Sequence, residues 1–189
     1  MISFKTIIVS GSLVQDHEFI YPFYRLLEEK SDLHVCLIGG QPVKGILGTS
    51  IPPNKNHRVF DIHEVKPSEY DLMIIPGGVK AMEKIRQDEK LIKFISDFYN
   101  FNNQKIIACI CSGAQLLISA KVVKGKKISG YYSMKDDIIN AGAQYVDEEI
   151  VYDDRIFTTA HYKDMGPWLK AAIDKVYELK KWVKKIYEL

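Results

Sequence analysis

The chain has 189 residues, 47% hydrophobic and 26% charged, which is enough apolar mass for one buried core and excludes disordered, collagen-like and coiled-coil classes. Lys and Arg number 26 against 24 Asp and Glu, and residues 177–189 hold four of the lysines and two of the glutamates, so the rest of the chain is neutral. Binding a polyanion needs concentrated positive charge, so no nucleic-acid partner is expected.

The N-terminus enters an apolar strand directly, without the charged region, apolar stretch and cleavage site of a signal peptide. No apolar run approaches the roughly 20 residues of a membrane helix. No repeat or low-complexity linker interrupts the chain, so residues 1–189 read as one domain with no membrane partner. Residues 6–9 form a β-branched run that stops at Ser10-Gly11-Ser12, and Phe19, Ile20, Phe23, Leu26 and Leu27 follow with helical spacing. Residues 33–38 predict a second strand closed by Gly39-Gly40. Residues 41–63 contain three of the seven prolines and predict irregular hairpin structure. Residues 72–75 are continuously apolar, as in a parallel strand covered on both faces, and end at Pro76-Gly77-Gly78.

A helix is predicted over 88–99, a buried strand over 105–110 and a helix over 112–120. A short helix ending at Gly142, strands at 149–152 and 155–159, and a last helix over 168–189 complete the chain. In that last helix Val176, Leu179, Val183 and Ile186 form an apolar stripe with the lysines opposite and Trp182 flanking it, which predicts docking on the domain's own sheet. Strands alternating with helices specify an α/β fold with a mostly parallel central sheet. The functional crevice of such a sheet lies beyond the carboxyl ends of its strands.

Three cysteines, Cys36, Cys109 and Cys111, are an odd number, which argues against a disulfide-stapled secreted domain and for the reducing cytoplasm. Cys111 falls where a strand becomes a helix, with Gly113 expected to permit the tight turn. Its sulfur is then near the free N–H groups of a helix start, which favour a thiolate. Cys36 and Cys109 read as small buried hydrophobes. The C-x-C spacing of Cys109 and Cys111 differs from a C-x-x-C redox pair.

Three stretches, D-L-M-I-I-P-G-G at 71–78, I-A-C-I-C-S-G-A-Q-L-L at 107–117 and K-G-K-K-I-S-G-Y-Y-S-M-K-D-D-I-I-N-A-G-A-Q-Y-V-D-E-E-I-V beyond them, resemble the ThiJ/PfpI superfamily, as does E-F-I-Y-P-F-Y-R-L near the N-terminus. The resemblance implies a flavodoxin-like three-layer sandwich and a homodimer. By position, Cys111 matches the elbow nucleophile and Glu18 the acid that contacts it. A carboxyl buried beside a thiolate has its pKa raised and can donate a hydrogen bond. Read without the resemblance, Glu18 is an acid at a helix N-terminus. Gly77 and Gly78, with the N–H of Ser112, match the oxyanion and binding turn, and Tyr131 matches a pocket aromatic. His17 borders Glu18. His161 leaves a strand near where related amidotransferases place a catalytic histidine, and a base role competes there with that of a loop histidine.

The peptidase-like branch carries C-H-G-P at the elbow, whereas Ser112 and Ala114 stand here, and its acid across a subunit contact falls on Met82 with Glu83 one position off. A Cys-His-Glu peptidase is therefore not expected. C-S-G-A is closer to the elbow of the isonitrile-hydratase and regulator branch. The expectation is a cysteine-dependent enzyme acting on a small electrophile, glyoxalase-, deglycase- or isonitrile-hydratase-like, with Cys111 as nucleophile, Glu18 as acid and no metal or cofactor. The alternative is a non-enzymatic redox or stress-response protein whose Cys111 is oxidised to a sulfinate.

Overall fold

The computed structural model describes residues 3–187, with side chains for residues 3–181. In chain order the elements are β1 (Lys5–Ser10), α1 (Asp16–Glu28), β2 (Asp32–Leu37), β3 (Val43–Lys44), β4 (Ser50–Ile51), β5 (Val59–Phe60) and β6 (Leu72–Ile75). There follow α2 (Val79–Ile85), α3 (Glu89–Phe101), β7 (Ile106–Ile110), α4 (Ala114–Ser119), β8 (Lys127–Ile128), α5 (Lys135–Asn140), β9 (Gln144–Tyr145), β10 (Val151–Asp153), β11 (Ile156–Thr159) and α6 (Met165–Tyr187).

The central sheet has seven strands in the order β10-β11-β7-β6-β1-β2-β5, parallel throughout except for the β10–β11 hairpin. The continuous apolar runs are explained by burial on both faces, since every residue of β6 and β7 is inaccessible to solvent. The chain steps from β1 to β2 in one direction across the sheet and from β6 to β7 in the other. Right-handed crossovers therefore put α1 on one face and α3 on the opposite face. Helix α6 joins α1, and α2 and α4 join α3, which gives three layers. The reversal between β1 and β6 opens a crevice at their carboxyl ends.

Helix α1 buries Phe19, Phe23 and Leu26, and α6 buries Trp168, Leu169, Ala172, Ile173 and Val176. The indole N–H of Trp168 donates to the Phe157 carbonyl at 3.1 Å. Docking of the last helix on the domain thus holds as far as Leu179, which packs partly buried against the core. The side chains of Trp182, Val183 and Ile186 lie outside the described residues.

Several elements depart from the sequence expectation. Helix α2 is absent from it, because seven residues capped by Gly78 without a side-chain cap leave no periodicity longer than Ala81, Met82 and Ile85. The segment 41–63 does contain the β3–β4 hairpin, but it also returns to the main sheet as edge strand β5. Strands β8 and β9 pair in a separate two-stranded sheet, too short for an alternating pattern to show.

Candidate active site

Strand β7 ends with Ile110 in extended conformation, and Cys111 then takes φ +60°. A left-handed backbone costs a non-glycine residue about 1 kcal/mol and persists only where its surroundings over-determine it. Here β7 is held between β6 and β11, and the Cys111 carbonyl accepts the Tyr131 N–H at 3.1 Å. A single 3-10 turn, Cys111–Gly113, leads into α4. The role expected of Gly113 changes. Its φ of −54° is ordinary helical backbone, and the sharp bend lies in Cys111 itself. A Cβ on Gly113 would stand 2.8 Å from the Ile75 carbonyl oxygen and 3.0 Å from the Cys109 sulfur, so this glycine serves close approach rather than turning.

Glu18 reaches the elbow from the first turn of α1, with 1% of its surface exposed. Its Oε2 accepts the Gly77 N–H at 2.7 Å, and the Cys111 thiol lies beside the carboxyl closely enough for each to act on the other's proton affinity. Burial pushes the Glu18 carboxyl up from an ordinary 4.5 to about 7, against the opposing pull of Gly77 and Cys111. Burial, and the carboxylate beside it, push the Cys111 thiol up to about 12, while the N–H and hydroxyl of Ser112 act to stabilise the thiolate. At neutral pH the pair thus keeps the proton on sulfur, and the ionised share of Glu18, about half at pH 7 and more above it, can take that proton. Gly77 is fixed by crowding, since a Cβ there would stand 2.6 Å from Glu18 Oε2 and 2.8 Å from Cys111 Cβ.

The two glycine N–H groups are both engaged inside the protein. The Gly77 N–H is taken by Glu18, and the Gly78 N–H donates to Ser112 Oγ at 2.9 Å. The Gly78 N–H and the Ser112 hydroxyl form a short relay at the elbow, and the hydroxyl and N–H of Ser112 both favour the Cys111 thiolate. The C-S-G-A elbow marks a hydroxyl after the cysteine, but its contact with Gly78 is not legible in the sequence, because it joins residues 34 apart. Sequence reasoning also missed Asp16, whose buried carboxylate accepts the N–H groups of Leu47 and Thr49 at 2.8 and 3.0 Å and pins the β3–β4 loop against α1. Asp directly before the apolar face of a helix was the available signal.

His161 stands on the other flank. Its Nδ1 accepts the Lys163 N–H at 3.2 Å, so in the neutral ring the proton sits on Nε2, which is then a donor and not a base. Among the described residues no hydrogen bond joins His161 to Cys111. Its ring lies among Tyr131, Tyr132 and Tyr162, at centroid distances of 6.4, 6.5 and 4.1 Å, and His17 stacks on Tyr162 at 5.3 Å. His17 and Tyr131 therefore belong to an aromatic arc whose ends attach beside Glu18 and at the Cys111 carbonyl. Met82 is fully buried, and Cys36 and Cys109 are inaccessible thiols that burial pushes up. Among the described residues no group of three or more His, Cys, Asp or Glu side chains is placed to hold a metal ion, and no helix is long and apolar enough to cross a membrane.

A parallel sheet with a strained cysteine elbow, backed by a buried carboxyl at the sheet's switch point, defines a cysteine-elbow protein of the flavodoxin-like α/β class. Residues 5–175 match the model of the DJ-1/PfpI family, and the chain belongs to that family. It is 36% identical over 166 residues to deglycase PfpI of Pyrococcus furiosus, covering 88% of this chain and 95% of the relative. A two-domain protein from Anabaena variabilis with DJ-1/ThiJ/PfpI-like and ferritin-like domains is similar in structure, with TM-score 0.83 and 28% identity; the match covers 92% of this chain and 48% of that one. Schizosaccharomyces pombe DJ-1 shares the fold at TM-score 0.78 and 18% identity, covering 94% of this chain and 97% of its own.

Proposed function

We propose that the protein is a cysteine-dependent deglycase or glyoxalase that adds Cys111 to the carbonyl carbon of a small dicarbonyl or of its adduct on an amine or guanidine. The observation that carries this reading is the Glu18 carboxyl, buried, anchored by Gly77 at 2.7 Å and set beside Cys111, with its proton affinity raised to about 7. The similarity to deglycase PfpI supports the choice of substrate class. As sulfur bonds to the carbonyl carbon, its proton passes to Glu18, and the former carbonyl oxygen becomes an oxyanion held by the N–H and hydroxyl of Ser112. The Gly78 N–H backs that hydroxyl and becomes a direct donor if the hydroxyl turns.

For methylglyoxal, Glu18 first hands the thiol proton to that oxyanion; the freed carboxylate then moves the hydrogen of the aldehyde carbon, as a proton, to the neighbouring ketone carbon while the hydroxyl proton passes to the ketone oxygen, which oxidises one carbon and reduces the other. The product is a thioester of a 2-hydroxy acid. Water then cleaves the thioester and restores the thiol, so the sum is one dicarbonyl plus one water and no external oxidant is required. On a hemiaminal adduct the sulfur takes the place of the nitrogen on that carbon: the C–N bond breaks, the amine leaves with the thiol proton carried by Glu18, and the same hemithioacetal remains.

The aromatic arc of Tyr131, Tyr132, His161 and Tyr162 supports a planar or cationic group beside the reacting carbon. Met82 and Ser112 occupy the positions of the missing peptidase acid and histidine, which supports carbonyl addition over peptide cleavage. The reading places the protein in the cytoplasm as a homodimer, and the exposed apolar side chains of Leu13, Ile46, Leu47 and Val79 on adjoining segments support a paired state. Release of N-acetylarginine from its methylglyoxal adduct should be catalysed by the wild type and reduced to the uncatalysed rate in Cys111→Ala. Equal rates for the two proteins contradict the proposal.

A further inference from the structure

The Arg86 guanidinium, at the C-cap of α2, donates from Nε and Nη2 to Ser119 Oγ at 3.1 and 2.9 Å and from Nη1 to Gln115 Oε1 at 3.3 Å. Its charge is thus spent on neutral acceptors, both on α4. No carboxylate lies within ion-pair distance of Arg86 among the described residues. With no ion pair made, the three bonds give this part-buried guanidinium a geometric role, tying the end of α2 to α4.

That role is visible in where the two helices start. Helix α2 begins at Gly78, and α4 begins at the elbow turn of Cys111 and Ser112. They are seven and six residues long, so each runs about 10 Å from the site to its far end. At the near end the pair is joined by a single hydrogen bond, Gly78 N–H to Ser112 Oγ at 2.9 Å. At the far end it is joined by the three bonds of Arg86. The far end of α2 is also seated against the loop after β1, where Ile85 packs so closely on Gly11 that a Cβ there would meet Ile85 Cγ2 at 2.6 Å. Two short rigid helices fastened at both ends keep a fixed spacing, and that spacing decides whether the Ser112 hydroxyl is held between Gly78 and the sulfur.

We propose that Arg86 is a positioning residue: by clamping α2 to α4 at the ends remote from the site, it holds the Gly78–Ser112 relay in register with the Cys111 sulfur. It touches neither substrate nor sulfur and acts through Ser112. The proposal rests on the reading of Cys111 as the nucleophile, and its test has a readout that needs no substrate. Because the other two thiols are inaccessible, mild iodoacetamide alkylation followed by intact mass reports on Cys111 alone.

The experiment is a double-mutant cycle on the full chain with Arg86→Gln, Ser112→Ala and the pair. Arg86→Gln should slow alkylation about three- to tenfold, the scale of one net hydrogen bond, and lower kcat on the methylglyoxal adduct of N-acetylarginine by a similar factor with KM unchanged. The pair should be no slower than Ser112→Ala alone, because the clamp has nothing left to position. Arg86→Lys should recover part of the loss, since an ammonium can reach one acceptor but cannot span both. Ser119→Ala, which leaves the charge in place, provides a second route should Arg86→Gln fold poorly, and it should slow alkylation in the same direction. Multiplying effects in the double mutant, or an alkylation rate unchanged in both Arg86→Gln and Ser119→Ala, overturn the proposal. A wild type that alkylates normally and shows the non-additive cycle but turns over no adduct counts against the substrate reading while supporting the clamp.

Discussion

Replacing Glu18 by glutamine tests the electrostatics of the pair through stability as well as rate. The amide keeps both contacts, its oxygen accepting the Gly77 N–H and its NH₂ reaching the sulfur, but it carries no charge at any pH. In the wild type burial lifts the Glu18 carboxyl from an ordinary 4.5 to about 7. A carboxyl raised in the native state stabilises the fold in its protonated form below about 4.5 and loses that contribution as pH rises to about 7. Each tenfold change in acid strength is worth about 1.4 kcal/mol, so the loss amounts to about 1 kcal/mol at pH 5 and about 3 kcal/mol at pH 8.5. With 1% exposure there is little solvent to screen it. Urea unfolding of both proteins at the two pH values isolates the effect, because every other group titrates alike in the two. Glu18→Gln should gain on the wild type by about 2 kcal/mol between pH 5 and 8.5, or about 4–8 °C in Tm for a chain of this length. Turnover should meanwhile fall by about 10²–10⁴, the range for a lost general base. A stability difference that stays flat with pH refutes the buried, raised carboxyl.

Initial rates of the wild type should rise with pH through about 7, as Glu18 ionises and becomes able to take the thiol proton, so a flat profile from pH 5.5 to 8.5 would count against it. Ser112→Ala leaves the backbone N–H in place and should lower kcat by at least about tenfold and at most the 10²–10³ reached when one oxyanion-hole donor is removed. His161→Ala should change kcat less than about threefold, because its Nδ1 is occupied by Lys163 and its Nε2 holds the proton; a loss near 10³ would instead assign it a base role. Gly77→Ala should destabilise by about 1–3 kcal/mol, measured by urea unfolding, since the added methyl would stand 2.6 Å from Glu18 Oε2.

The strands that carry the site were legible because burial on both faces writes an unbroken apolar run, as at Leu72–Ile75 and Ile106–Ile110. The elbow at Cys111 followed from that run ending in a helix start. Glu18 was a different matter, since its own surroundings in the chain read only as an acid at a helix N-terminus. Its contact with Gly77 spans 59 residues of sequence, and family resemblance rather than local pattern carried it. The contact of the Ser112 hydroxyl with Gly78, and the parts of Asp16 and Arg86, lay beyond reach for the same reason: each acts across elements that only the packed fold brings together. Gly113 shows how a correct residue can be given the wrong reason, because the left-handed backbone belongs to Cys111 and the glycine answers to the Ile75 carbonyl behind it.

The central claim is that the Cys111 sulfur bonds covalently to the substrate carbon during turnover. Rapid acid quench of the protein with methylglyoxal, followed by peptide mapping by mass, should find one dicarbonyl on the 107–117 segment, attached at Cys111, appearing and decaying at the turnover rate and absent from Cys111→Ala. Turnover with no such species, or one confined to lysine and arginine side chains, would contradict the account.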